Sequence, residues 1–313
     1  MRVLFMGTPE FARVVLENLA RSHEVVGLVC QGDKPFGRKQ ELKAPATKEW
    51  VKKELPALPI LQPDRLDSEA CEAIAALNPE IIIVVAYGKI LPKALLERYR
   101  CLNVHASILP KYRGASPLQE MLLHGDRYWG VSVMEMEEEL DSGAILGISV
   151  VESNAKDGLA ELSENMANLG AELLGDVLER LENEEMAGKS QGSCVLEPLK
   201  QDDFQASYCQ KIKKDAGRVK LADALEVVAK YRAYGVWPSV FLESGVKLFG
   251  IELESGEGVH RAGEILRIEE GGIVLGCERG SIRVEALQAP SKQKISAKAF
   301  AQGRRLGVGD VLE

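Results

Sequence analysis

The run Ile81-Ile82-Ile83-Val84-Val85-Ala86-Tyr87 decides the fold of this chain. A strand with one wet face alternates apolar and polar side chains. One that is apolar throughout is buried on both faces, as in the middle of a parallel sheet covered by helices. At seven residues the run is far short of the roughly 20 needed to span a bilayer, and no longer apolar stretch occurs. Upstream of it, Arg2–Met6 reads as a strand, Gly7-Thr8-Pro9 as a turn and Glu10–Ala20 as a helix, with Thr8 as N-cap and Pro9 at the first helical position. Val25–Cys30 is a second strand, and Lys48–Leu55 and Asp67–Leu77 have helical spacing. Downstream come a short helix over Pro92–Tyr99, a strand over Leu102–His105, a helix over Pro117–Leu123, and strands over Gly130–Met136 and Ala144–Val151. Residues 158–186 place Leu159, Leu162, Met166, Leu169, Leu173, Val177 and Leu181 on one helical face. This alternation predicts an α/β domain over residues 1–187, with a Rossmann-like, mostly parallel sheet.

Residues 188–203 lose periodicity and gain Gly, Ser, Pro and Asp, which predicts a linker. Over 204–313 the pattern changes class. One helix is predicted at Leu221–Tyr234, followed by short strands at Val240–Leu242, Val246–Glu252, Gly263–Ile268, Ile273–Gly276 and Ile282–Leu287. Such spacing predicts a smaller C-terminal β-barrel or sandwich.

A length of 313 residues suits two domains. With 46% hydrophobic, 27% charged and 5% aromatic residues, the composition is that of an ordinary soluble globular protein, which excludes disorder, collagen and coiled coil. The six cysteines (30, 71, 101, 194, 209 and 277) are scattered, with no Cys-x-x-Cys pair and no His at zinc spacing. The expectation is reduced, unligated thiols, no metal and a cytoplasmic protein. The apolar core of the N-terminus is too short for a signal peptide. Charge is divided: residues 1–204 carry 22 Lys and Arg against 33 Asp and Glu, a net −11, whereas residues 205–313 carry 17 against 14, a net +3. A polyanionic partner would be repelled by the first part and tolerated by the second.

The first strand–helix turn, Gly7-Thr8-Pro9-Glu10-Phe11-Ala12, is not G-x-G-x-x-G. Pro9 and Glu10 put bulk and negative charge where a pyrophosphate needs bare backbone, which disfavours a nicotinamide-dependent oxidoreductase. More telling is Asn103-Val104-His105-Ala106-Ser107-Ile108-Leu109-Pro110-Lys111-Tyr112-Arg113-Gly114. Asn103 and His105 share one face at the C-terminal end of a strand, where open α/β sheets place their ligands. An amide donor beside an imidazole suits oxyanion stabilisation and proton transfer, the needs of acyl transfer to an amine. Taken alone, Asn-x-His is more often the mark of a hydrogen-bonded strand end, and Leu140-Asp141-Ser142-Gly143 alone is ordinary turn chemistry.

Together these segments resemble the methionyl-tRNA formyltransferases. Gly7–Ala12 is similar to that family's opening, Gln31–Arg38 to its loop after the second strand, VVAYGKILP (84–92) to its central strand, and NVHASILPKYRGASP (103–117) to its signature. Leu140–Gly143 matches its Leu-Asp-[Ser/Thr]-Gly, and Tyr234-Gly235-Val236-Trp237-Pro238 its C-terminal aromatic–Pro element. The resemblance implies a formyltransferase fold with an OB-like C-terminal barrel. It implies transfer of a formyl group from 10-formyltetrahydrofolate to the α-amine of methionyl initiator tRNA, for translation initiation, by a monomer. Asn103, His105 and Asp141 match the family's catalytic trio, with Asn103 donating to the oxyanion and Asp141 orienting His105. Proton removal from the amine runs either through His105 or through a water held by Asp141. Ser107, Ile108, Leu109 and Pro110 match the folate-carrying segment, and Tyr87, Gly88 and Ile90 the turn that walls the pterin. Arg38 and Lys34 fall in the tRNA-engaging loop, residues 31–43. That loop departs from the family at Gly32, Gln40 and Glu41, which dilutes its positive charge, and Ala144 replaces an often acidic residue. Two basic clusters (Lys211, Lys213, Lys214, Arg218, Lys220; and Lys292, Lys294, Lys298, Arg304, Arg305) would add to the tRNA grip. The alternative is a sugar-nucleotide or other amine formyltransferase using the same folate, against which the Arg38 loop argues. A noncatalytic binding protein on the same scaffold has no need of Asn103, His105 and Asp141 together.

Overall fold

The apolar run at 81–87 becomes one strand of a seven-stranded sheet in the computed structural model, which describes residues 1–36, 40–187 and 197–312. Cys194 and the first part of the expected linker, up to residue 196, lie outside the described residues. In chain order the first unit comprises β1 (Arg2–Gly7), α1 (Glu10–Ser22), β2 (Glu24–Val29), the hairpin β3 (Lys34–Phe36) and β4 (Glu41–Lys43), α2 (Ala46–Glu54), β5 (Ile60–Leu61), α3 (Ser68–Ala76) and β6 (Ile81–Val85). After it come α4 (Lys93–Arg98), β7 (Arg100–His105), β8 (Arg113–Gly114), α5 (Pro117–His124), β9 (Tyr128–Glu135), β10 (Ile145–Glu152), α6 (Leu159–Ala187) and β11 (Tyr208–Cys209). The sheet order is β10-β9-β7-β6-β1-β2-β5. Pairing is parallel from β7 to β5, and β9 and β10 are antiparallel additions.

All five residues of β6 are buried. Each Ile or Val removed from water on both faces contributes about 1.5–3 kcal/mol, so this strand anchors the unit. β6 ends at Val85, two residues before the apolar run does, because Ala86 turns to φ +46 and leaves the extended region. The N-cap of α1 is Pro9; Thr8, expected there, instead accepts the Gln31 N–H on its hydroxyl at 3.2 Å. Gly7 is required where β1 passes into α1, since a Cβ there would lie 2.7 Å from that of Ala12 and 2.8 Å from the Val85 oxygen.

From β1 the chain moves outward through β2 to β5, then returns to the other side of β1 as β6 and continues to β7. The reversal lies between β1 and β6, so the crevice that binds ligands in such sheets opens beyond their C-terminal ends. Residues 86–91 and the end of β7 border it.

The chain forms two compact units. The first holds Met1–Pro117, Arg127–Ala155 and Ala160–Gln210; the second holds Leu118–Asp126, Lys156–Leu159 and Lys211–Glu313. The first extends to Gln210 because residues after the undescribed stretch return to its surface. There Leu199 bridges Ile145, and β11 pairs in parallel with β8.

In the second unit, α7 (Ala224–Tyr234) is capped by the Asp223 carboxylate, which accepts from Leu225 N–H. β12 (Val240–Phe241), β13 (Lys247–Ser255), β14 (Ile265–Glu269), β15 (Gly272–Gly276), β16 (Ser281–Gln288) and β17 (Ile295–Ser296) form an antiparallel sheet in the order β12-β13-β16-β15-β14, with β17 on β16. Val240, Leu248, Ile265, Leu275, Val284 and Leu287 from its strands, with Phe300 of α8 (Ala297–Gly303), form a separate apolar core. Among the described residues no helix is long and apolar enough to cross a membrane.

Candidate active site

The end of β7 and the turn after β9 bring three side chains together. Asn103 and His105 project from alternate positions of β7 and are buried, as is Asp141. Asn103 Nδ2 donates to Asp141 Oδ1 at 3.2 Å, and the backbone N–H of Gly114 donates to Asp141 Oδ2 at 2.8 Å. His105 Nδ1 lies 3.6 Å from the same Oδ2, beyond hydrogen-bond length. Its Nε2 is 2.9 Å from the carbonyl oxygen of Tyr112. A carbonyl only accepts, so this contact assigns the hydrogen to Nε2 and turns Nδ1 toward the carboxylate. The tautomer is thus set by Tyr112, a role the family resemblance assigns to Asp141.

The backbone here is special. Tyr112 (φ +58) and Asp141 (φ +52) are left-handed, and Gly114 sits at φ +126. A Cβ on Gly114 would run into the Cys209 carbonyl, and one on Gly143 into the Glu135 carbonyl. These glycines let two other strands approach the catalytic loops closely, which a side chain would prevent.

The folate-carrying segment 107–110 is a tight turn. Ser107 is buried, its hydroxyl donating to the Lys111 carbonyl, and the Leu109 N–H donates to Ser132 Oγ. Leu109 packs with Met134 and Ile145, the Leu109–Pro110 peptide is cis, and Ile108 and Pro110 are partly exposed. At the neighbouring loop, Tyr87 points into the core with Leu91 and Leu95, and burial, then Cys30, push its phenol up to about 12. The outward residues are Gly88, exposed at φ +81, and Ile90, an apolar side chain left 79% exposed. Gln31 Nε2 donates to the Tyr87 carbonyl at 3.0 Å, joining this loop to the base of the 31–43 loop. Lys48 Nζ, at 2.7 Å, and then Gln62 hold the Asp33 carboxyl below its ordinary value. Lys34 is exposed on β3; Arg38 lies outside the described residues.

Sequence reasoning missed four contributors: the Tyr112 carbonyl, the Gly114 N–H, Arg113 and Gln201. The first three lie inside the Asn103–Gly114 motif but act through backbone or burial, which side-chain type does not reveal. Gln201, in the stretch read as linker, is buried beside Asp141 and carries no local signal.

In the second unit, Lys211, Lys213, Lys214, Lys220, Lys292, Lys294, Arg304 and Arg305 are exposed or partly so. Arg218 is paired with Glu243 and Asp215, and Lys298 with Glu270, so both basic clusters are partly neutralised. Val236 and Trp237 are exposed, with a cis Trp237–Pro238 peptide. Among the described residues no cluster of His, Cys, Asp or Glu could hold a metal ion.

Residues 1–178 match the formyl transferase family and residues 211–305 the formyl transferase C-terminal domain. Methionyl-tRNA formyltransferase from Wolinella succinogenes is 47% identical over 315 residues, covering 100% of this chain and 99% of that one. The protein of the same name from Nitratiruptor sp. is 44% identical over 311 residues, 99% of each. Among solved structures, HypX from Aquifex aeolicus in complex with tetrahydrofolic acid superposes with a TM-score of 0.66 at 19% identity. That match covers 98% of this chain and 48% of the longer HypX chain, and shows a shared fold. With matching models on both units and end-to-end identity to its named members, the chain belongs to the formyl transferase family, in its methionyl-tRNA formyltransferase branch.

Proposed function

We infer that this chain is an enzyme that moves the formyl group of 10-formyltetrahydrofolate onto the α-amine of methionine carried by initiator tRNA. The observation that carries this is identity of 44–47% running through both units, the C-terminal one included. The residues present fit a reduced folate: exposed Ile90 offers an apolar contact, Gly88 beside it is exposed and carries no side chain, and Asn103 is a buried amide donor on the strand next to β6. When bound, the folate supplies a formyl carbon open to attack by an amine.

The chain's own groups then divide the work. Asn103 keeps one Nδ2 hydrogen on Asp141 and offers the other to the formyl oxygen as negative charge grows there. His105, held as the Nε2–H form by Tyr112, offers Nδ1 to the proton leaving the amine. A proton received there lies 3.6 Å from Asp141 Oδ2. Ile108, Pro110, Gly88 and Ile90 border the folate; Lys34, Arg38 and the exposed lysines of the second unit contact tRNA phosphates. The enzyme acts in the cytoplasm as a monomer.

The test is formyl transfer to methionyl initiator tRNA, with uncharged tRNA, glycinamide ribonucleotide and an amino-sugar nucleotide as controls. Product with the charged tRNA alone is expected. Transfer to a small amine in its place would overturn the tRNA assignment and keep the chemistry.

A further inference from the structure

The catalytic turn at Asp141 is held from outside by residue 201. Gln201 is 6% exposed, and its Nε2 donates to two backbone carbonyls at once, Asp141 O at 2.9 Å and Gly143 O at 2.7 Å. Its Oε1 accepts from Arg113 Nε at 2.9 Å. Arg113 is 2% exposed, and its other nitrogens reach Asp203 Oδ1 at 2.9 Å and the Tyr208 hydroxyl at 3.3 Å. Burial pulls the guanidinium pKa down, but Asp203 and Tyr208 outweigh it and leave it raised, so the cation is secure. All these residues belong to the first unit.

We propose that Gln201, oriented by Arg113, is a positioning residue that sets the place of the Asp141 carboxylate. The chemistry admits few alternatives at this position. Two carbonyls can only accept, so the group facing them must donate twice. Arg113 can only donate, so the group facing it must accept. A primary amide meets both demands and Arg113 fixes which way round it lies; a carboxylate, hydroxyl or amine fails one of them. The clamp acts on the backbone on either side of Ser142, and thus on a left-handed residue whose carboxylate already serves Asn103 and Gly114. A displacement of that carboxylate moves the Asn103 amide and the partner of His105 together, and a shift of about 1 Å costs on the order of 10²-fold in rate.

This rests on Asp141 being part of the formyl-transfer machinery, and two readouts separate the two claims. In steady-state transfer, Gln201→Leu, which removes all three hydrogen bonds, and Gln201→Glu, which keeps only the acceptor for Arg113, are each expected to lower kcat on the order of 10²-fold. KM for folate and for tRNA should stay within about threefold. In an Asp141→Asn background, Gln201→Leu should cost less than about threefold more, because the group it places is already gone. A merely structural role would give the same fold loss in both backgrounds, and that result, or kcat near wild type in either single variant, overturns the proposal. Should Gln201→Leu fail to fold, Gln201→Asn carries the test, since it retracts the amide by roughly 1.5 Å. Independently of activity, amide hydrogen exchange over residues 137–145 should be faster in the variants, and unchanged exchange would refute the clamp. A wild-type enzyme that transfers no formyl group would refute the functional assignment, while the exchange result still decides the clamp.

Discussion

Replacing Asn103 separates the proposed oxyanion donor from the scaffold that holds it. Asn103→Ala removes the amide that donates to Asp141 Oδ1 at 3.2 Å and, in the proposed mechanism, to the formyl oxygen. Loss of one preorganised oxyanion donor typically costs 10²–10³ in kcat, or roughly 3–4 kcal/mol. The same change leaves one oxygen of a buried carboxylate short of a donor, at about 1–3 kcal/mol of stability, so the variant should melt lower but remain folded. Asn103→Asp is harsher. Two carboxylate oxygens at the native 3.2 Å separation repel by roughly 5 kcal/mol at an effective dielectric of about 20, so the pair takes up a proton near neutrality. The acid limb of its pH–rate profile should therefore move upward, while Asn103→Ala keeps the wild-type shape. Single-turnover transfer by rapid quench measures the chemical step free of product release, and circular dichroism checks the fold. A folded Asn103→Ala enzyme within about threefold of wild type would refute the donor role.

Gly114→Ala should be nearly as damaging. Its backbone sits at φ +126 and the new Cβ meets the Cys209 carbonyl, so the N–H is dragged from Asp141 Oδ2. A hydrogen bond to a charged acceptor is worth about 1.5–3 kcal/mol, which predicts a kcat loss of roughly 10- to 150-fold in the transfer assay. Reversing Lys211, Lys213 and Lys214 to Glu should raise KM for tRNA and flatten its salt dependence by about one unit of log–log slope for each phosphate left unneutralised, with folate KM unchanged. Unchanged tRNA kinetics would remove that face from the interface. Cys30, Cys101 and Cys277 are buried, and burial pushes their thiols up to about 11, 12 and 11. Native enzyme treated with iodoacetamide at pH 8 should leave all three unmodified by peptide mapping, and rapid labelling of any of them would contradict the packing.

The sheet was legible because its signal is local. Ile81–Val85 could only be a two-face-buried strand, and Asn103 and His105 fell on one side of β7 by the period of the pleat alone. Their meeting with Asp141 was not legible from spacing, since 36 residues separate it from His105 and nothing in Asp-Ser-Gly distinguishes a catalytic turn from a solvent turn. It came from resemblance. Gln201 was hidden more thoroughly. Its surroundings are polar and rich in turn-forming residues, so local composition predicts a linker, whereas its burial depends on pairing of Leu199 with Ile145 and Tyr208 with Arg113. Pairing over such distances has no sequence period to betray it. Within the turn that the resemblance sets against the pterin, burial separates the residues in a way that residue type does not reveal: the fold places the Tyr87 ring in the core and leaves Gly88 and Ile90 facing out.

The positive φ values at the site show why the segment after the undescribed stretch matters to chemistry. Ala86, Tyr112 and Asp141 carry side chains in a region that costs on the order of 1–2 kcal/mol per residue. Each is held by hydrogen bonds from elsewhere in the first unit. Gln31 holds the carbonyl of Tyr87 beside Ala86; Ser207 Oγ accepts the Tyr112 N–H at 2.9 Å; Gln201 holds the carbonyl of Asp141. Two of those three come from residues 199–210. The loop that presents the Tyr112 carbonyl to His105 Nε2 and the turn that presents the Asp141 carboxylate to Asn103 cannot relax to ordinary conformations without losing those contacts. The strain therefore persists only while the returning chain opposes it. Residues 103–143 supply the reacting groups, and residues 199–210 supply much of the force that keeps them in register.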